Sequence, residues 1–367
     1  MTAPGGPTAL LRAEALYDTG RYAQAGQLVA QHLATDPEDA EALVLLARCH
    51  HRSGAGPAAL AAVDQALRAR PELLGGWLMR VHILLAAKRY PEAEASARHA
   101  VELAPQYWGT HYALGTALAE HGEHARTPGR TVEAYEAARA AVALAPEEDA
   151  AHFLVGLTAQ RRGDRVTAQR AYETTLRLNP QSSEAHNNLS LLRLRRRWFR
   201  RGAWTQAAEG FVASAALDLH DRKARYNLEA MAWNTVAGAR WVALLGFVAS
   251  AVALAWVPDG AGWADAAVPL LAGEAVVVGS WTGWAVWMAR RVPPRLRRPL
   301  LLVARNCRPV LFMAGAVGLL GLYSLAAPAL WSFDSGVVSG LGTPLFWAVI
   351  ITYWVSRSAL NRRAPKD

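Results

Sequence analysis

Prolines stand at positions 37, 71, 105, 146 and 180 of this 367-residue chain, 34, 34, 41 and 34 residues apart. A fixed period of this size means one supersecondary unit stacked repeatedly, because a single unit cannot bury its own apolar face. Aligning the chain on these prolines brings out further columns. Twelve residues before each proline stands an alanine: Ala25, Ala59, Ala93, Ala134 and Ala168. Five residues before that alanine is Gly20, Gly54 or Gly163, with Lys88 in the third unit. The 41-residue unit is expected to keep Gly122 in the glycine role, with its seven extra residues between Gly122 and Ala134. Five residues before the prolines are Ala66, Ala100, Ala141 and Thr175, with the larger His32 in the first unit. A sixth unit lacks the proline and keeps the columns as Gly202, Ala207, Phe211 and Ser214.

Each column has a physical reading. A glycine between two helical stretches supplies the positive φ of a tight turn. Alanines let helices approach closely and favour helix themselves. Proline excludes helical geometry from the residue before it and ends the second helix. Each unit therefore reads as helix, turn, helix, stop.

This pattern resembles the tetratricopeptide repeat, whose 34-residue unit has Gly and Ala at these spacings and closes on Pro. Trp77 matches the family's aromatic start, Leu114-Gly115 matches its Leu-Gly pair, and Val155-Gly156 is close to it. The resemblance covers roughly residues 6–220, and Tyr226-Asn227-Leu228 echoes Asn187-Asn188-Leu189 as a seventh first helix. It implies an all-α solenoid of about six repeats whose first helices line a concave face. The family's groove positions fall on Glu41, Val44, Arg48, His51 and Arg52, then Leu78 and His82, then Tyr112 and Thr116. They continue with Phe153, Gln160 and Arg161, then Asn187, Leu191 and Arg195, and finally Tyr226. Asn187 stands where the family often places an asparagine that binds a peptide backbone, with Asn188 one register step away. A set of arginines, aromatics and amides suits an acidic or extended protein segment.

The chain changes character near residue 235, and nine of its 14 tryptophans lie beyond that point. Apolar runs occupy about 241–257, 266–288, 309–331 and 338–355. Such lengths match the hydrocarbon core of a bilayer. Trp241, Trp256, Trp281, Trp331 and Trp354 stand near run ends, as interfacial belts do. Arg240 precedes the first run, seven arginines between 290 and 308 separate the second and third, and Arg357, Arg362, Arg363 and Lys366 follow the fourth. The links 258–265 and 332–339 contain no Lys or Arg. The positive-inside rule then places both termini in the cytoplasm. The expected plan is a solenoid over 1–220, a connecting helix over 221–240, a membrane domain of four helices over 241–356 and a basic cytoplasmic tail over 357–367. Residues 292–308 read as an amphipathic segment interrupted by Pro293, Pro294 and Pro299, suited to lie against anionic lipid.

Composition narrows the function. The +9 net charge is explained by topology, since twelve Lys and Arg beyond residue 235 oppose five acids. No nucleic-acid partner is expected. Two cysteines give no disulfide framework or metal cluster and fit a reducing compartment. Residues 1–25 carry Arg12, Glu14, Asp18 and Arg21 with no continuous apolar stretch, so no signal peptide is expected. Cys49, His50 and His51 are adjacent on a helix and share no face, so no metal is expected, and neither is any cofactor. No nucleophile motif, P-loop or dinucleotide fingerprint is present.

These readings lead to a non-enzymatic membrane adaptor in a bacterial inner membrane, with a protein or peptide partner. Two alternatives stay open. Glu274, the acid set well inside an apolar run, would mark a transporter subunit or membrane enzyme regulated by the solenoid. Gly315, Gly318 and Gly321 would allow close helix packing within the bundle or between copies.

Overall fold

The structure is a computed structural model that describes residues 7–195, 202–217, 222–258, 262–330 and 335–364, with helices and no strand among them. It divides into two compact units, Met1–Pro180 and Gln181–Asp367.

Five helix pairs form the first unit: α1 (Pro7–Asp18) with α2 (Tyr22–Leu33), α3 (Ala40–Arg52) with α4 (Gly56–Ala69), α5 (Leu74–Ala86) with α6 (Tyr90–Leu103), α7 (Trp108–Ala125) with α8 (Pro128–Leu144), and α9 (Asp149–Arg161) with α10 (Arg165–Leu178). Each second helix packs on the next first helix, and α3, α5, α7 and α9 also pack on one another. The prolines act as the sequence suggests. α4, α6, α8 and α10 each end two residues before one, and the intervening Arg70, Ala104, Ala145 and Asn179 are extended, with ψ between 73° and 91°. The proline carbonyl then finds a donor six residues on. Trp77 Nε1 donates to Pro71 at 2.7 Å, and His111 and His152 Nε2 donate to Pro105 and Pro146 at 2.8 and 2.9 Å. A carbonyl only accepts, so both histidines carry their proton on Nε2. The alanine column is fully buried at all five positions.

Gly20, Gly54 and Gly163 hold the turns with φ of 79°, 79° and 83°, and Lys88 adopts the same left-handed backbone at 58°. The fourth turn corrects the sequence reading. Gly122 is buried inside α7, and Arg126, at φ 53°, takes the left-handed position. The insertion lengthens helices instead of the turn: α7 and α8 have 18 and 17 residues, against 13 or 14 in α3 to α6. Pro105 to Arg126 is 21 residues where Pro37 to Gly54 is 17, and Arg126 to Ala134 is eight where Gly54 to Ala59 is five. Four and three residues are each close to a helical turn of about 3.6, so both helices grow without rotating their buried faces. At this end Glu94 of α6 ties three helices together. It accepts from His121 Nδ1 of α7 at 2.6 Å, from Arg130 of α8 at 3.0 Å and from Arg98 at 2.9 Å.

The second unit contains α11 (Ser183–Arg195), α12 (Ala203–Leu217), α13 (Arg222–Ala255), α14 (Trp263–Arg291), α15 (Pro294–Asn306), α16 (Arg308–Leu330) and α17 (Ser335–Asn361). α11 and α12 are the sixth repeat. Gly202 has φ 82°, and Ala207, Phe211 and Ser214 are fully buried. The expected connecting helix and first apolar run are one continuous 34-residue helix, α13, about 51 Å long at ~1.5 Å per residue. The sequence places the end of the solenoid at 220, whereas the sixth repeat packs with α13 and α15 beyond that point. Trp204, Phe211, Leu228, Met231 and Leu296 share one apolar cluster.

α13, α14 and α16 are long and apolar enough to cross a membrane by length and composition. The fourth expected run lies within α17, which does not belong to that set among the described residues. Trp331 lies outside the described residues. α13 and α14 run antiparallel in close contact: a Cβ added to Gly273 would stand 2.6 Å from the Ala253 Cβ. Ser250 donates to the Ser324 carbonyl at 2.8 Å, joining α13 to α16, and Trp233 Nε1 donates to Ser356 at 2.9 Å, joining α13 to α17. Gly321 faces the Trp281 ring, whereas Gly315 and Gly318 face open space. Glu274 is half-buried on α14, and its Oε2 has no hydrogen-bond partner. The segment expected on lipid is a single helix, α15, with Pro299 inside it. Leu296, Leu300 and Val303 join Trp204 and Phe211 of the sixth repeat in one apolar cluster, while Leu301 and Leu302 are exposed.

Candidate peptide-binding groove

In the first unit, alternate faces of the first helices separate cleanly. On α3, Ala42, Leu43, Leu45, Ala47 and Cys49 are buried, while Val44, Arg48, His51 and Arg52 are half-buried or exposed. This is the i, i+4, i+7 stripe of one helical face. Leu78 and His82 on α5, Tyr112 and Thr116 on α7, and Phe153 and Gln160 on α9 likewise keep part of their surface accessible. These ten positions lie on first helices that pack side by side, so they share one face of the stack.

The cations of this face are held in place. The Arg48 guanidinium carbon lies 4.3 Å from the Tyr17 ring centroid, and that of Arg52 lies 5.2 Å from the Tyr22 ring. Arg52 also donates to the Tyr22 hydroxyl, at 2.9 Å from Nη2. The two rings meet edge to face at 5.2 Å. Tyr17 and Tyr22 are site residues that the repeat register does not reveal. The signal available in the sequence is that Tyr17 and Tyr22 flank the first turn, and that His51 and Gly56 take their places in the second repeat. His82 keeps accessible surface, and its pKa is lowered by partial loss of solvent and further by the neighbouring His51.

Further along, the aromatics interlock. Trp108 meets Tyr112 at 5.8 Å, and Phe153 meets the buried Tyr172 at 5.6 Å. The Tyr172 hydroxyl donates to Gln160 Oε1 at 3.3 Å, which fixes the amide's orientation. Arg161 is committed to ion pairs with Glu120 and Glu123, and Glu41 to one with Arg70 at 2.8 Å. The groove face therefore presents Arg48, Arg52, His51 and His82 as its cationic and titratable groups, with Leu78, Tyr112 and Phe153 as apolar ones.

The second unit treats its own expected positions differently. Asn187 is 5% exposed, and its Oδ1 accepts from Asn227 Nδ2 of α13 at 2.8 Å. Its amide joins helices and is not presented to a ligand; Asn188, one step round the helix, is half-buried. Tyr226 packs against the cluster that contains Trp233 and Ala237. Arg195 ends α11, and its side chain lies outside the described residues.

One group of described residues has metal-ligand spacing. Donor atoms of His32, Asp36 and Asp39 lie within 4.8 Å of one another. Asp39 already caps α3 by accepting from the Glu41 and Ala42 amides at 3.1 Å, and it meets His32 Nε2 at 2.8 Å. Burial raises its pKa, but these hydrogen bonds outweigh it and hold the carboxylate below its usual range. The group closes the first inter-repeat turn.

Repeating helix pairs with left-handed turns, buried small-residue columns and proline stops define a helical-repeat solenoid. Two family models, both described as tetratricopeptide repeat, match the chain, one over residues 4–73 and the other over 78–126 and 156–227. Together they cover over half of the chain, which belongs to the tetratricopeptide-repeat family. The second match omits 127–155, which contains the lengthened α8, and it continues through the sixth repeat into α13. Among solved structures, the chain is similar to TTC0263, a thermophilic tetratricopeptide-repeat protein of Thermus thermophilus (19% identity, 51% of this chain and 95% of that one, TM-score 0.45). It is also similar to residues 41–end of MamA from Desulfovibrio magneticus RS-1 (23% identity, 48% and 98%, TM-score 0.41). YrrB, described as having an unusual peptide-binding site, matches at 17% identity over 53% and 95% with TM-score 0.38. No curated protein sequence matches the chain.

Proposed function

We propose that the chain is a membrane-anchored adaptor. The stack Met1–Pro180 binds an acidic or extended protein segment, and the second unit holds it at a bacterial cytoplasmic membrane without making or breaking a bond. The single observation that carries the binding half is the pair of arginines, Arg48 and Arg52, fixed by Tyr17 and Tyr22 on an accessible helix face. A guanidinium supported by a ring loses little further freedom when it meets a carboxylate. The anchoring half is supported by the length and composition of α13, α14 and α16. The arginine distribution favours an orientation with both termini in the cytoplasm.

In-cell crosslinking from a photoreactive residue placed at His82 or Gln160 of the full chain should capture a protein partner. Arg48→Ala with Arg52→Ala should lower that capture about tenfold, the effect of losing one or two charge-assisted hydrogen bonds. Capture that is indifferent to both arginines would rule out this face. The anchoring half predicts that the full chain sediments with membranes and resists alkaline extraction.

A further inference from the structure

We infer that the second unit contains a binding cleft for the headgroup of an anionic phospholipid, built from four tryptophans and Arg291; the inference rests on the membrane reading above. A cleft of about 630 Å³ lies between α12, α13 and α14. Trp204 of α12, Trp241 of α13 and Trp284 and Trp287 of α14 line it, with Arg291 at the end of α14. Asn234 and Thr235 of α13 add a polar wall.

The location follows from the packing. Ala253 meets Gly273, and Gly246 meets Val277, so α13 and α14 are antiparallel and Trp241 comes level with the last turns of α14. On α13 the apolar run starts at Trp241, directly after Arg240; on α14 it ends just before Arg290 and Arg291. The cleft therefore sits where both helices change from apolar to cationic, which is the level of lipid headgroups in a bilayer. Its lining is graded in the same sense. Tryptophan rings suit the boundary between acyl chain and glycerol, Arg291 suits a phosphate, and Asn234 and Thr235, whose side chains donate to the Ala230 and Met231 carbonyls, offer acceptor oxygens to a hydroxylated headgroup.

Arg291 is fixed in position by its neighbours. Its guanidinium carbon lies 4.6 Å from the Trp287 ring and 5.2 Å from the Trp204 ring, and its backbone carbonyl accepts from Thr205 at 3.0 Å. The surroundings favour an anion: Arg240 and Arg290 flank the cleft level, and α15 follows with Arg297 and Arg298. An occupant would touch the sixth repeat through Trp204 and the apolar helices through Trp241 and Trp284, so lipid binding would act on the joint between them.

The test is native mass spectrometry of the detergent-solubilised full chain with equal phosphatidylglycerol and phosphatidylcholine, beside flotation of the same chain with vesicles of the two lipids. The expected result is one retained phosphatidylglycerol in preference to phosphatidylcholine, with retention about tenfold weaker in Arg291→Ala. Arg291→Ala also removes two ring contacts, so Gly238→Leu provides a second variant. Gly238 lines the cleft, and a Cβ there meets nothing within 4 Å, so leucine fills the space without a clash and should abolish retention. Equal retention of both lipids, unchanged retention in Gly238→Leu, or displacement by inorganic phosphate alone would each overturn the inference. A full chain that fails to float overturns the membrane reading itself. One that floats but shows no lipid preference overturns only the cleft.

Discussion

Met1–Pro180 and Gln181–Asp367 hold themselves together over different distances along the chain. In the first unit, side-chain hydrogen bonds such as Arg161 to Glu120, Asn179 to Asp149 and His121 to Glu94 join residues 41, 30 and 27 positions apart, about one repeat. In the second, Arg295 reaches Glu209 across 86 positions, Trp233 reaches Ser356 across 123 and Arg363 reaches Glu229 across 134. The interiors differ in the same way. The first unit closes on a repeated column of buried alanines, with larger buried side chains such as Ile83, Leu84, Leu118 and Tyr172 between them. The second adds Trp204, Phe211, Trp233 and Met313, large side chains that fit particular partners. A stack of near-neighbour contacts responds locally to a change, while a core built from distant elements responds as a whole.

Phe211→Ala should break the second unit most severely. Removing a fully buried ring costs about 3–5 kcal/mol. Hydrogen exchange on the full chain should show lost protection in α12, in the first turns of α13 and in α15 together, with α3 to α6 unchanged. Loss confined to α12 would mean that the sixth repeat stands alone.

Glu94→Gln should be smaller and local, about 2 kcal/mol, with exchange changes limited to α6, α7 and α8. Burial raises the Glu94 pKa, but the hydrogen bonds from His121, Arg98 and Arg130 outweigh it, so the net shift is downward. A carboxylate depressed in the folded state contributes stability above its unfolded pKa of about 4.3 and loses it as pH falls through the lower folded value. The difference between wild type and variant should therefore be full at pH 7 and vanish in acid. A difference that persists in acid strong enough to protonate Glu94 in the folded state would assign the effect to packing.

The smallest effects belong to the turns. Lys88→Gly and Arg126→Gly place glycine where the backbone is already left-handed, and each should raise stability by about 0.5–1 kcal/mol in thermal melts. Arg126→Gly tests the reassigned fourth turn, because Gly122→Ala should instead destabilise by crowding the Arg130 Cβ at 3.1 Å.

Much of the solenoid was legible because its signals are local. A proline acts on the residue before it, a glycine on its own φ, and an alanine on the neighbour it lets approach. The groove was legible in part: the register found Arg48, Arg52, His82 and Phe153 on accessible faces but could not reveal the tyrosines that brace the arginines. It also put Asn187 in reach of a ligand, whereas Asn227, 40 positions further on, holds that side chain inside.

The sequence by itself determined the unit of the fold, the number of its repeats and the places where apolar runs begin. Those follow from backbone preferences and hydrophobic patterning over a few residues. The tertiary structure alone decided that seven inserted residues become helical turns, that α13 runs unbroken from the last repeat into the first apolar run, and that α15 adds Leu296 and Leu300 to the cluster of Phe211 and Trp204. In each case the outcome depends on which surface is nearest once the chain is packed, and a linear pattern carries no distances between elements far apart along it.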